Sequence, residues 1–119
     1  MLEQLQLYKA TLLLERGLSS ASIEAYLSDL LDFIRYLDRS AGIVEASGVS
    51  RYEILDYLES CQEKNYAVST ISRRLISIKL FFRYLTAERI LAENITEVMD
   101  SPQLWKLIPD YLSEREIEL

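Results

Sequence analysis

Apolar residues recur at three- and four-residue intervals along most of this chain, and stretches alternating with period two are nearly absent. The pattern predicts an all-α fold, a compact orthogonal bundle of four main helices near 2–16, 20–40, 51–64 and 70–89, with short helical pieces towards the C-terminus. Leu2 to Arg16 is rich in Leu, Glu, Gln and Lys, all good helix formers, and Gly17 suits the left-handed position past a helix end. In the second helix Ser19 is the expected N-cap, and Leu18 with Ile23 forms a hydrophobic staple. Ile23, Tyr26, Leu27, Leu30, Ile34 and Leu37 then make one apolar face, with Glu24, Ser28, Asp32 and Arg35 on the other. Gly42 marks the stop.

The third helix has the strongest start signal. Ser50 and Glu53 spell a capping box, with Val49 and Ile54 as its staple. Ile54, Leu58 and Cys61 line its face beside Leu55, and Asn65 fits a left-handed terminus. The fourth helix is expected to start at Ser69. Ile71, Leu75, Ile78, Phe82 and Leu85, spaced 4, 3, 4 and 3, form its core stripe. At 100° per residue Ser69, Ser72, Arg73, Lys79 and Arg83 lie away from that stripe, Ile76 and Leu80 also point outward, and Arg74 lies nearer the core edge. The expected core is Ile23, Leu30, Ile34, Ile54, Leu58, Ile71, Leu75, Ile78, Phe82 and Leu85.

Beyond Arg89 the pattern weakens. Asn94 or Thr96 is expected to cap a short helix through Val98 and Met99. Pro102 and Pro109 bracket a linker-like stretch. Ser113 and Glu116 then spell a second capping box, with Leu112 and Ile117 as staple, too near the chain's end to form a stable helix alone. The expected organisation is one domain over 1–100, a linker over 101–112, and the start of a further domain over 113–119, so that the natural protein continues.

Composition narrows the chemistry. Half of the 119 residues are hydrophobic and 27% are charged, an ordinary globular balance. Cys61 is the only cysteine and there is no histidine, which excludes a disulfide framework, the common zinc sites and histidine acid–base catalysis. Three scattered glycines cannot build a phosphate loop. No apolar run approaches membrane-spanning length and no signal-peptide pattern is present, so a reducing, cytoplasmic setting is expected. Cys61 reads as a small core residue. The acid pairs Asp29/Asp32 and Glu114/Glu118 read as solvated helix faces. Asn94-Ile95-Thr96 reads as a chance match to a glycosylation acceptor. No catalysis, cofactor, metal or small-molecule substrate is expected of this chain.

The charge is uneven. The net charge is −6, yet Lys64 to Arg89 holds six basic residues against one acid, Glu88, for +5, leaving −11 on the remainder. One face can therefore meet phosphates while the rest of the surface is acidic. Ser69, Thr70, Arg73, Lys79 and Arg83 combine small hydroxyls and cations at a helix start and along one side, a set that suits phosphate oxygens or guanine.

Leu18 to Leu30 (LSSASIEAYLSDL) resembles the second helix of the core-binding domain of tyrosine recombinases, the SAM-like N-terminal domain of phage integrases, at Ser19, Ser22, Tyr26, Asp29 and Leu30. Tyr66 to Leu85 (YAVSTISRRLISIKLFFRYL) resembles the family's fourth helix in its hydroxyl start, Arg73, Leu75, Lys79, Phe82 and the Tyr84-Leu85 ending. Ser101 to Leu119 is similar to the proline-marked linker into the catalytic domain. The likeness runs through nearly the whole chain in order, and Xer-like recombinases fit best. Departures are Leu27 and Ser28 where many relatives carry basic residues, Ala67 and Val68 where many carry a lysine, and Ile95 in place of a common proline.

The resemblance implies a four-helix domain forming half of a clamp around double-stranded DNA, its second and fourth helices approaching the major groove. Other recombinase protomers are implied as partners in a tetramer, and the catalytic residues are implied to lie in a C-terminal domain. The expected DNA-contacting residues are Ser22, Tyr26, Ser69, Thr70, Arg73, Lys79 and Arg83. A second reading stays open: a helical protein-interaction domain that docks through Ile76, Leu80 and Trp105.

Overall fold

The structure, a computed structural model, describes residues 1–14 and 19–97. Four helices follow in order, α1 (Leu2–Leu14), α2 (Ser20–Ala41), α3 (Arg51–Glu63) and α4 (Val68–Ala87), with a 3-10 turn at Ala46–Gly48 before α3. There is no strand among the described residues. Gly17, the Leu18 staple, the short helix through Val98 and Met99, the linker, Trp105 and the second capping box all lie outside the described residues.

The helix boundaries follow from local chemistry. Ser19 Oγ accepts the Ser22 N–H at 3.1 Å, which satisfies one of the free donors at the start of α2. The Ser50–Glu53 capping box forms as the pattern requires: Ser50 Oγ accepts the Tyr52 N–H, and the Glu53 carboxylate accepts the Ser50 N–H at 2.6 Å. Gly42 ends α2 at φ 66°, a left-handed conformation that glycine adopts without the Cβ penalty. Asn65 (φ 63°) and Arg89 (φ 61°) take the same conformation after α3 and α4. At each, a paired closure satisfies the last carbonyls: Tyr66 N–H to Cys61 C=O with Asn65 N–H to Gln62 C=O, and Ile90 N–H to Leu85 C=O with Arg89 N–H to Thr86 C=O.

The start of α4 differs from the sequence expectation. Ala67, not Ser69, is its N-cap; the Ala67 carbonyl accepts the Ile71 N–H and no side chain caps the end. Ser69 is thus the second residue of the helix, on its exposed first turn.

The central pair is α2 and α4, and both α1 and α3 pack against each of them. All ten expected core residues are buried, joined by Leu5, Tyr8, Leu12, Phe33, Leu37, Tyr57 and Phe81. Aromatic rings fill two seams. Tyr8 of α1 lies 5.4 Å from Phe81 and 5.0 Å from Tyr84 of α4, and Tyr57 of α3 lies 5.0 Å from Phe33 and 5.2 Å from Tyr36 of α2. Cys61 is buried in this core, and that burial pushes its thiol above the usual range, so it behaves as a small apolar side chain.

Candidate nucleic-acid interface

α4 presents two polar regions. The first is a charged seam against α2 and α3. Arg73 donates from Nε to Asp29 Oδ2 at 2.9 Å and from Nη2 to Asp29 Oδ1 at 3.0 Å. Ser77 Oγ lies 3.1 Å from both Asp29 Oδ2 and the Arg73 carbonyl. Arg74 turns the other way. Its Nη1 donates to Asp32 Oδ2 and to the Tyr57 hydroxyl, each at 2.6 Å, and the Tyr57 hydroxyl donates to the same Asp32 oxygen at 2.8 Å. The Arg74 guanidinium also sits 4.8 Å from the Tyr66 ring centre, a cation–π contact with a residue placed by the Asn65 turn.

The expectation that Asp29 and Asp32 form a solvated face is overturned. Asp29 is 2% exposed, and only Asp32 reaches water, its side chain 39% exposed. A buried carboxylate requires a partner, and two adjacent arginines on the facing helix provide it. Burial works to raise the Asp32 pKa, but hydrogen bonds from Tyr57 and Arg74 and the Arg74 charge outweigh it, so the carboxyl sits below its ordinary value. Burial and the bond to Asp32 push the Tyr57 phenol well above the usual tyrosine range.

The second region is the outward side of α4. Ile76, Lys79, Leu80 and Arg83 line an open groove of about 430 Å³, whose other side is Asn94, Thr96 and Glu97. Asn94 Oδ1 accepts the Thr96 N–H at 2.9 Å, which fixes that opposite wall. Ile76 is 48% exposed and Arg83 is exposed.

The seven expected contact residues thus fall into two groups. Ser22, Tyr26 and Asp29 share one side of α2 by their spacing, and Asp29 grips Arg73. Ser69 and Thr70 lie one turn before Arg73 on α4. Lys79 and Arg83 belong to the groove further along the helix. Asp29, Asp32, Tyr57 and Ser77 were missing from the expected set. One sequence signal pointed to them: Arg74 falls at the core edge, and a buried guanidinium demands an acid across the interface.

Residues 5–89 match the phage integrase N-terminal SAM-like domain. This chain belongs to that family. Among curated relatives of this SAM-like domain, it is 38% identical over 119 residues to tyrosine recombinase XerC of Herpetosiphon aurantiacus and 33% identical over 116 residues to XerC of Roseiflexus castenholzii. It is 36% identical over 105 residues, 88% of its length, to tyrosine recombinase XerD of Pseudomonas aeruginosa. The first two alignments cover 99% and 98% of the chain, which spans 38%, 37% and 35% of these three relatives in turn. No solved structure matches it. The matched segment holds all of α2, α3 and α4, and with them the charged seam and the α4 side of the groove. Among the described residues no helix is long and apolar enough to cross a membrane.

Proposed function

We propose that this chain is the DNA-binding half of a site-specific tyrosine recombinase, forming one side of a clamp on duplex DNA with α2 and α4. Ser22, Tyr26, Ser69, Thr70, Arg73, Lys79 and Arg83 make the contacts. Strand breakage and rejoining belong to a catalytic domain outside this chain, and further protomers join it on DNA as a tetramer. The observation that carries the reading is the basic stretch on α4, with Lys79 and Arg83 on its outward groove apart from the Asp29 and Asp32 seam, in an otherwise acidic domain whose relatives are named recombinases. The hydroxyl-bearing first turn of α4 and the Lys79–Arg83 groove suit the phosphate backbone, which dominates affinity and makes it salt-dependent.

The test is a fluorescence titration of the chain against labelled duplexes of several sequences at about 50 and 200 mM salt. Lys79→Ala and Arg83→Ala should each weaken binding to every duplex alike and lower the slope of log affinity against log salt by about 1. Unchanged binding in both variants would move the DNA face off α4. The exposed Ile76 beside Leu80 would then favour docking of another protein on this groove.

A further inference from the structure

We propose that Asp29 is a positioning residue that holds Arg73 as a fixed reader of guanine. The inference rests on the DNA-binding reading above and names a base contact within it. Asp29 grips Arg73 side-on, through Nε and Nη2, at 2.9 and 3.0 Å. A guanidinium is planar, so this leaves the end-on edge, Nη1 and the second N–H of Nη2, directed away from Asp29. That edge is the one that matches the paired acceptors O6 and N7 of guanine in the major groove. The grip is itself fixed: Asp29 is 2% exposed and touches Ser77 Oγ at 3.1 Å, while the Arg73 side chain is 46% exposed.

Electrostatics separates guanine from phosphate as the target. A phosphate contact works through net charge and released counterions, and tolerates a mobile cation. Arg73 is neutralised as a point charge by a buried carboxylate at hydrogen-bond distance, which weakens it for that role. Its donors keep their direction, and direction is what a bidentate base contact needs. Lys79 and Arg83 line the groove further along α4, where cations suit the backbone.

The experiment uses the 119-residue chain. Duplexes are selected from a randomised pool at low salt, and guanines of the enriched sequence are replaced one at a time by 7-deazaguanine, which lacks N7. One replacement should weaken the parent roughly five- to tenfold. In Arg73→Gln that penalty should vanish with the salt slope unchanged. In Asp29→Asn, and more mildly in Ser77→Ala, the penalty should shrink because the reader swings free. A purely structural loss would lower affinity for the guanine and 7-deazaguanine duplexes equally, leaving the penalty intact. No sensitive guanine, or an equal penalty in the parent and Arg73→Gln, would overturn the inference while DNA binding stood. Failure of the parent to bind any duplex would overturn the DNA-binding reading and this inference with it.

Discussion

The two inner seams of α4 are built on different principles. Against α1, the seam is aromatic and apolar: Tyr8 rests between Phe81 and Tyr84, with Leu85 fully buried nearby. Against α2 and α3, the seam is threaded by charge: Asp29, Arg73 and Ser77 form one hydrogen-bonded group, Asp32, Tyr57 and Arg74 another, and the Arg74–Asp29 ion pair at 3.9 Å joins them. Apolar burial is non-directional and tolerates small shifts of one helix over another. A carboxylate shared by two arginines across an interface is satisfied in only one arrangement. The difference teaches that α1 stabilises α4, whereas α2 and α3 fix its rotation and register, and so fix where its outward cations and its Arg73 edge point.

The aromatic seam should give the largest stability effect. Phe81→Ala removes a fully buried ring that touches both Tyr8 and Phe82, and should cost about 3 to 5 kcal/mol in a urea melt. Because the lost term is cavity and area, Phe81→Leu should recover most of it. A Phe81→Ala variant with the parent's midpoint would mean that α1 does not pack as described.

The charged seam comes next. Asp29→Ala leaves the Arg74 guanidinium, whose side chain is only 15% exposed, dependent on Asp32 and Tyr57. Arg74 Nε is buried with no hydrogen-bond partner and lies 3.9 Å from Asp29 Oδ1, so Arg74 loses one of its two carboxylate neighbours as well. Breaking a buried pair costs about 3 to 5 kcal/mol; the half-exposed Arg73 recovers water, which lowers the expected loss to about 2 to 3 kcal/mol. Circular dichroism melts of Asp29→Ala and Arg73→Ala separate the two partners. The arginine variant should be the harsher, because it leaves the buried Asp29 carboxylate with only Ser77 and an Arg74 Nε at 3.9 Å; equal or smaller losses would mean that Arg74 compensates Asp29 by itself.

The contrast between the seams also explains what could be read from the chain. The apolar stripe of α4 from Ile71 to Leu85 follows helical periodicity, and every member of it is buried. Caps are equally local, so Ser19, the Ser50–Glu53 box, Gly42 and Asn65 all stand where residue type and spacing put them. Phe81 escaped because a helix enclosed on several sides buries more than one stripe, and periodicity assigns only one. Asp29 escaped because its partners are more than 40 residues away, and a carboxylate at a stripe edge reads as solvated until the opposing helix is known. Ser69 read as a cap because hydroxyls favour that position, but the helix extends two residues further, to an N-cap at Ala67. The outward placement of Lys79 and Arg83 was legible from helical angle alone; the Asp29–Arg73 bond needed the fold.

The smallest expected effect is a dependence on pH confined to the charged seam. The Asp32 carboxyl titrates below its ordinary value of 3.8 in the folded protein, since the bonds from Tyr57 and Arg74 and the Arg74 charge exceed the opposing effect of burial. A depressed folded pKa means that the unfolded chain takes up the proton first on acidification. The Asp32 contribution is therefore fully present above the unfolded value, near 4, and is lost as pH falls through the folded one. With the side chain 39% exposed, solvent screening keeps this contribution to about 1 kcal/mol or less. The remaining carboxylates also respond to acid, so the informative quantity is the difference between the parent and Asp32→Asn in urea midpoints from pH 6 to pH 3. The parent should be the more stable at pH 6, and the gap should narrow below pH 4. A constant gap across that range would show that Asp32 acts through packing and neutral hydrogen bonds, and that the ion pair with Arg74 adds nothing to the seam. The aromatic seam supplies the control: Phe81→Leu should shift the midpoint by the same amount at every pH, because no titrating group is lost with the ring.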